Sequence, residues 1–286
     1  MKVRIIAPSS KCIDSTIKLN QIIELLASHG FEVSHSAHLF SDTTLPYYAN
    51  DARHRLEDLR DAILSDDDII WAFRGGYGAG EIVENCMDLK SELQKKKILI
   101  GFSDITAIHL LFNQIFNMPS LHASVLTSLL GDQAHHINDI TKILRGEKHI
   151  LKLTPANDLA KNARIEGKII GGNLCVLQTM IGTRLHPETD DKIIFIEDTA
   201  EPGYKIARML NHFKNAGLFN SLKGIILGDF TNAGENNYID ETLKSFINAH
   251  PNLPIYRLNS GHGHINHPVI LGSDIVIDNG FLEGSL

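Results

Sequence analysis

Along the first half of the chain, short apolar runs alternate with stretches whose apolar residues recur three to four positions apart, the signatures of strand and amphipathic helix. Residues 3–7 read as a strand that stops at Pro8-Ser9-Ser10, and 17–26 as a helix closed by Gly30. A strand restarts at 31–33, and 45–50 is loop. Ala52, Leu56, Leu59, Ile63 and Leu64 then mark a helix whose Arg- and Asp-rich face is expected to be solvated. Residues 68–73 read as a buried-type strand, apolar from Ile69 to Phe73, that runs into Arg74-Gly75-Gly76-Tyr77-Gly78-Ala79-Gly80. Residues 98–100 form another strand ending at Gly101. From Asp104 the apolar positions 105, 108, 111, 112 and 115 are helical, so Ser103 falls on a tight strand-to-helix turn. This alternation predicts parallel βαβ units with Ser103 and the glycine loop on one rim of the sheet.

The pattern weakens into Lys, Asn, Asp and Pro between Leu151 and Ala163. We therefore divide the chain into residues 1–148, a connecting segment 149–164, and residues 165–286. The second part opens with a strand at 165–170, a turn at Gly171-Gly172-Asn173 and a helix at 174–181. A strand at 192–196 ends at Glu197-Asp198. A helix at 206–213, a strand at 224–227, a helix at 238–249 and short strands near Ile255, Val269 and Ile275 complete an α+β unit.

Composition narrows the function classes. With 286 residues, 43% hydrophobic, 21% charged and a formal charge of −7, the chain offers no basic footprint for nucleic acid or an anionic membrane. No segment has the apolar length of a membrane span, and the apolar stretch at the N-terminus is too short for a signal peptide. Cys12, Cys86 and Cys175 lie far apart at no metal or redox spacing, which points to reduced thiols in a cytoplasmic protein. No cofactor is expected.

Four stretches carry candidate chemistry. Ser103 is either a nucleophile held beside a helix N-terminus or a helix N-cap, with Asp104 and Thr106 completing the helix start; Ile105 replaces the second glycine of a G-x-S-x-G elbow, which favours the cap. Backbone N–H groups of Gly75 or Gly76, with that of Asp104, could form an oxyanion hole, or the glycines could form a turn only. One of Glu197 and Asp198 could orient a histidine, or the pair could cap the helix beginning near Tyr204. In Ser260-Gly261-His262-Gly263-His264-Ile265-Asn266-His267, one histidine is a general base or several are metal ligands; no carboxylate or cysteine spacing completes a metal set.

Together these stretches resemble the LD-carboxypeptidases, the serine peptidase family that also contains the microcin C self-immunity peptidases. The resemblance runs from Ala7-Pro8-Ser9-Ser10 through Tyr48-Ala49, Arg55, Arg74-Gly75-Gly76-Tyr77-Gly78 and Gly101-Phe102-Ser103-Asp104-Ile105-Thr106. It continues in Gly171-Gly172-Asn173-Leu174, Gly182-Thr183, Glu197-Asp198, Glu201-Pro202, Tyr204, Arg208, Gly261-His262 and Gly272. It implies a Ser103 nucleophile, a Glu197 orienting carboxylate and a His262 base. It also implies a flavodoxin-like N-terminal domain, as in class I glutamine amidotransferases, a smaller α+β C-terminal domain supplying Glu197 and His262, and a homodimer. Ala123 after His122 and Ile270 before Gly272 depart from the family pattern at positions that shape the pocket. The implied activity is release of C-terminal D-alanine from murein tetrapeptides during cell-wall recycling. A carboxypeptidase must hold a terminal carboxylate, and Arg74 beside the glycine loop is either that anchor or a member of a surface ion pair. The alternatives are cleavage of an aminoacyl nucleotide, as in the immunity peptidases, or a non-catalytic flavodoxin-like binding module.

Overall fold

The computed structural model describes residues 1–231, 234 and 238–286. The first half supplies β1 (Lys2–Ile6), α1 (Ser15–Ser28), β2 (Glu32–His35), α2 (Ala52–Leu64), β3 (Ile69–Ala72), α3 (Ala79–Ile82), β4 (Ile98–Gly101), α4 (Thr106–Leu110), β5 (Ser120–His122) and α5 (His136–Leu144). The second half supplies β6 (His149–Lys152), β7 (Thr154–Pro155), β8 (Ile165–Asn173), α6 (Leu174–Met180), β9 (Ile193–Thr199), α7 (Gly203–Asn215), β10 (Gly224–Thr231), α8 (Ile239–Ala249), β11 (Ile255–Arg257), β12 (Val269–Leu271), β13 (Asp274–Asp278) and β14 (Phe281–Gly284).

Two α/β units result, each built on one sheet. In the first, β2-β1-β3-β4-β5 run parallel and β12 is added antiparallel to β5. In the second, the order is β6-β14-β13-β8-β9-β10-β11-β7, with β8, β9, β10 and β11 mutually parallel. The central strands read as unbroken apolar runs because both of their faces are covered. In β9, Ile193 and Phe195 enter one core while Ile194 and Ile196 enter the other; all four are 0% exposed. The core holding Ile194 and Ile196 also holds Ile70 and Leu99 of the first sheet, so one apolar layer joins the two units.

Several local expectations give way to long-range contacts. Residues 149–152 and 154–155 form two edge strands, β6 on β14 and β7 on β11, within the segment expected to be a connector. Gly171, Gly172 and Asn173 form no turn; they extend β8 along Phe195, Ile196 and Glu197. Both glycines have φ of 136°, and a side chain on Gly171 would collide with the Phe195 backbone, so their absence of Cβ serves close strand approach. The polar face of α2 is not merely solvated. Arg55 is buried and donates to Asn50 O at 3.0 Å, Pro8 O at 2.7 Å and Gly78 O at 2.8 Å, while Asp58 receives Arg4 at 3.3 Å. The helix expected from Asp104 to Ile115 begins as a 3₁₀ turn at Ser103–Ile105 and widens to a π turn at Leu111–Ile115. The crossing of β12 into the first sheet makes residues 258–268, which carry His262, a bridge between the two units.

Candidate active site

Ser103 follows β4 with φ of 64°, a left-handed conformation that costs a non-glycine residue roughly 1–2 kcal/mol and is held only by its surroundings. Gly101 makes room for it: a Cβ there would stand 2.9 Å from two Ile105 carbons, so Ile105 folds back over the strand end. Below, His109 Nε2 donates to Gly101 O at 2.9 Å and Nδ1 accepts from Ser120 Oγ at 2.7 Å. Ser103 is therefore the first residue of the 3₁₀ turn and not its cap; Phe102 holds that place. Nor do its neighbours complete an ordinary helix start. The Asp104 carboxylate accepts from Ser9 Oγ at 2.6 Å and Ala79 N at 2.8 Å, and Thr106 Oγ1 accepts from Asn173 N at 2.9 Å. Burial pushes the Asp104 carboxyl up, opposed by those two hydrogen bonds.

The glycine loop closes on this turn. Gly75 lies against Ser103, where a Cβ would come within 2.9 Å of the serine Cβ. Gly76, with φ of 116°, packs on Ser10, whose Oγ accepts from Tyr77 N at 3.2 Å. Arg55 supports the loop from beneath and pairs with Glu81 at 2.8 Å; Glu81 in turn accepts the Tyr48 hydroxyl.

Glu197 and Asp198 end up on opposite faces of β9, as the strand period requires. Asp198 accepts from Asn173 Nδ2 at 3.0 Å and Cys175 N at 3.0 Å, so it ties down the start of α6 and not the helix near Tyr204. Glu197, 0% exposed, accepts from His262 Nδ1 at 2.6 Å through Oε2. Burial would raise the Glu197 carboxyl, but His262 and His122 beside it outweigh that and hold it down to about 2. Burial would lower the His262 imidazole; the Glu197 charge and hydrogen bond outweigh it, so His262 is raised above its ordinary value. The two groups thus stabilise each other's charged forms.

The His262 loop is fixed by its own polar contacts. Gly261 N donates to Asn266 Oδ1 at 2.9 Å, Ser260 Oγ to His267 O at 2.7 Å, and Asn266 N to His136 Nε2 at 2.9 Å. The Phe102 ring lies 4.7 Å from the His262 ring, centroid to centroid, which packs the residue before Ser103 onto the imidazole. The other two histidines of the stretch point elsewhere. His264 is exposed, 4.0 Å from Asp132, and His267 neighbours His136 at 6.0 Å. Among the described residues, no group of three or more His, Cys, Asp or Glu side chains is arranged to hold a metal ion.

Two cavities open onto Ser103. One, of about 440 Å³, is lined by Ser103 and His262 together with Lys18 and Arg74, the exposed arginine beside the glycine loop. The other, of about 510 Å³, is lined by Ser103 together with Glu81, Glu84, Asp198, Glu201 and Tyr77. Ser103, Gly75, Gly76, Asp104, Arg74, Glu197 and His262 therefore converge on one junction between the two units. His109, His122 and Arg55 support it. Arg55 was already among the residues of the family resemblance, whereas His109 and His122, histidines inside or after apolar runs, read equally well as ordinary residues. Trp71 is excluded from the cavities; it is 0% exposed and donates from Nε1 to Ser124 O at 2.9 Å.

Comparison with known proteins agrees over both units. Residues 3–123 match the profile of the LD-carboxypeptidase N-terminal domain and residues 166–277 that of the LD-carboxypeptidase C-terminal domain. The chain is 33% identical over 285 residues to a Rickettsia conorii protein named as a carboxypeptidase, covering 96% of this chain and 87% of that one. It is 29% identical over 299 residues to the murein tetrapeptide carboxypeptidase of Pseudomonas aeruginosa, covering 99% and 94%. Its fold is similar to that of MccF in complex with glutamyl sulfamoyl guanosine, with a TM-score of 0.81 at 18% identity over 100% of this chain and 96% of that one.

Proposed function

The chain belongs to the LD-carboxypeptidase family and is a serine hydrolase; from that premise we propose that Ser103 is its nucleophile, His262 its general base and Glu197 the carboxylate that orients the base. The observation that carries this reading is the 2.6 Å contact from His262 Nδ1 to the fully buried Glu197, on a cavity that also exposes Ser103. With Nδ1 donating to Glu197, Nε2 is the nitrogen left to accept the serine proton. Ser103 Oγ attacks the amide carbonyl as His262 takes its proton. The oxyanion rests on backbone N–H groups of Gly75 or Gly76 and Asp104. His262 then protonates the departing amine; in the second half water, deprotonated by His262, attacks the acyl carbon, and His262 returns that proton to Ser103 Oγ as the ester bond breaks and the acid leaves. Family membership sets aside the non-catalytic binding module.

For the substrate, we favour a murein tetrapeptide cut between its L-centre and a terminal D-alanine. The two cavities have opposite polarity, which suits a substrate with opposite charges either side of the scissile bond. Arg74 and Lys18 would receive the terminal carboxylate, and Glu81, Glu84 and Glu201 the ammonium of a lysine or diaminopimelate at the third position. The aminoacyl-nucleotide reading also has its own observation. Tyr47, Tyr48 and Tyr77 cluster with ring centroids 4.6–6.0 Å apart, and Tyr77, 54% exposed, lines the acidic cavity as a surface on which a base could stack. MccF in complex with glutamyl sulfamoyl guanosine shares the fold. The parallel order β2-β1-β3-β4-β5 supports a flavodoxin-like N-terminal sheet. In this reading the enzyme is a homodimer working in the cytoplasm on recovered wall fragments.

Side-by-side turnover of an L,D tetrapeptide, its L,L isomer and an aminoacyl sulfamoyl adenosine tests the assignment. The L,D peptide alone should be cut. Equal release from both isomers removes the stereochemical claim, and turnover of the nucleotide alone transfers the assignment to the second reading.

A further inference from the structure

Glu197 has two carboxylate oxygens, and His262 engages only one. The other, Oε1, has no hydrogen-bond partner among the described residues although the side chain is 0% exposed. Such an oxygen is costly to bury unpaired. What faces it is Nε2 of His122, 3.7 Å away. His122 is also 0% exposed, and among the described residues neither of its ring nitrogens has a hydrogen-bond partner. Two buried orphans thus confront each other across a gap roughly 1 Å longer than a charge-assisted hydrogen bond.

We infer that His122 is a positioning residue for the reaction, donating Nε2–H to Glu197 Oε1 and holding the carboxylate from the side opposite His262. The inference rests on the roles given above to Ser103, Glu197 and His262. Three features support it. First, His122 ends β5 of the N-terminal sheet whereas Glu197 lies in β9 of the C-terminal sheet, so the contact ties the base's carboxylate to the unit that carries Ser103. Second, the rest of the ring meets no competing polar group. Phe195 stands edge-on at 4.8 Å and Phe102 at 5.9 Å, while His109, 6.2 Å away, has committed both nitrogens to Ser120 and Gly101. That surrounding places a proton on Nε2, the nitrogen that faces an acceptor. Third, a hydrogen bond to the carboxylate tightens as charge develops in the reaction, here when His262 becomes an imidazolium against Glu197.

The consequence for pH has a definite sign. A donor on Oε1 shares the Glu197 charge and so moderates its hold on the His262 proton. Without it, His262 stays protonated to higher pH. The titratable groups facing His122 are Glu197 from β9 and His109 from α4; His109 is held neutral, since burial pushes it down to about 3. Asp198 from β9 and Asp229 from β10 also face His262 and raise it.

The test measures fluorophosphonate labelling of Ser103 against pH in wild-type protein, His122→Phe, His122→Gln and Ser103→Ala, with thermal melting recorded for each. Phe keeps the ring volume but carries no N–H; Gln can place an amide N–H near the position of Nε2. His122→Phe should slow the plateau rate roughly tenfold to a hundredfold, the worth of a hydrogen bond to a charged group, and move the midpoint to higher pH. His122→Gln should recover most of both. Wild-type rate and midpoint in His122→Phe overturn the inference, as does equal slowing in both variants with the midpoint unmoved, which is what a packing role produces. If wild-type Ser103 resists labelling while a control serine hydrolase reacts, the triad reading itself falls and takes this inference with it. Should His122→Phe not fold, ¹⁵N-histidine NMR of the wild-type protein decides: a solvent-protected Nε2–H on His122 is expected, and an Nδ1–H tautomer overturns the proposal.

Discussion

Gly261 lies directly against the carboxylate of Glu197: a Cβ at position 261 would stand 2.7 Å from Oε2, the oxygen that accepts from His262, and 3.0 Å from Cβ and Cγ. Gly261 also has φ of 125°, so no L side chain sits there unstrained. Because Glu197 is enclosed, it cannot yield without moving relative to His262. Gly261→Ala should therefore lower kcat on the order of a hundredfold, the usual cost of an ångström-scale misplacement. Steady-state kinetics with a parallel thermal melt checks this, and unchanged kcat would show that the carboxylate has slack.

The proposed roles imply an unequal mutational series. Ser103→Ala and His262→Ala each break one proton-transfer unit, so either should cost on the order of 10⁴-fold or more in kcat, and the double variant little beyond that. Glu197→Gln should cost less than either, since the imidazole keeps its place but loses the charge behind it. His264 is exposed on the same loop and provides the control: His264→Ala should stay within about tenfold of wild type. Full activity in Ser103→Ala would remove the mechanism.

Activity should fall on the acid side through a midpoint above 6.5. In the proposed mechanism the base works as neutral imidazole, and Glu197 raises the His262 pKa above that ordinary value against the effect of burial. Glu197→Gln removes the charge and leaves the burial, so the midpoint of kcat/KM should move to lower pH. An upward shift would contradict the electrostatics described here.

The same pair makes a pH-dependent contribution to stability. For His262, whose pKa is raised, the contribution is complete below 6.5 and is lost as pH rises through the raised value. For Glu197, lowered from 4.5 to about 2, it is complete above 4.5 and is lost as pH falls toward about 2. Denaturant unfolding should accordingly show the largest stability difference between wild type and Glu197→Gln in the window from 4.5 to 6.5. A difference independent of pH would assign the pair no net electrostatic role in folding.

Arg55, 2% exposed, satisfies three carbonyls and pairs with Glu81, and it holds the glycine loop beneath Ser103. Arg55→Met keeps much of the volume but unpairs those oxygens, and should cost roughly 2–4 kcal/mol by urea denaturation; Glu81 is partly solvated, which keeps the loss from being larger. Arg55→Lys should fall between the two, because an ammonium cannot reproduce the fork of the guanidinium.

Much of this architecture is already present in the local pattern of residues. The apolar runs at β1, β3, β4 and β9, the helices α1, α2, α7 and α8, and the turn at Ser103 follow from steric preference and burial periodicity, which each short segment carries by itself. The candidate residues Ser103, Glu197 and His262 were legible as chemistry-bearing types at strand ends and on a glycine-flanked loop, and their common order with a known family joined them. Tertiary structure decided what each polar group does. Ser9 and Asp104 meet across 95 positions and Glu197 and His262 across 65, separations over which no periodicity records a contact. For that reason Gly171–Asn173 read locally as a turn but lie in β8, Asp198 holds the start of α6 where a cap near Tyr204 was one of two readings, and Arg55 on a polar helix face is buried. The addition of β12 to the first sheet, which brings His262 over Ser103 and Glu197 up to His122, depends on the meeting of two sheets; apolar burial drives that meeting without direction, and only the packed whole fixes its register.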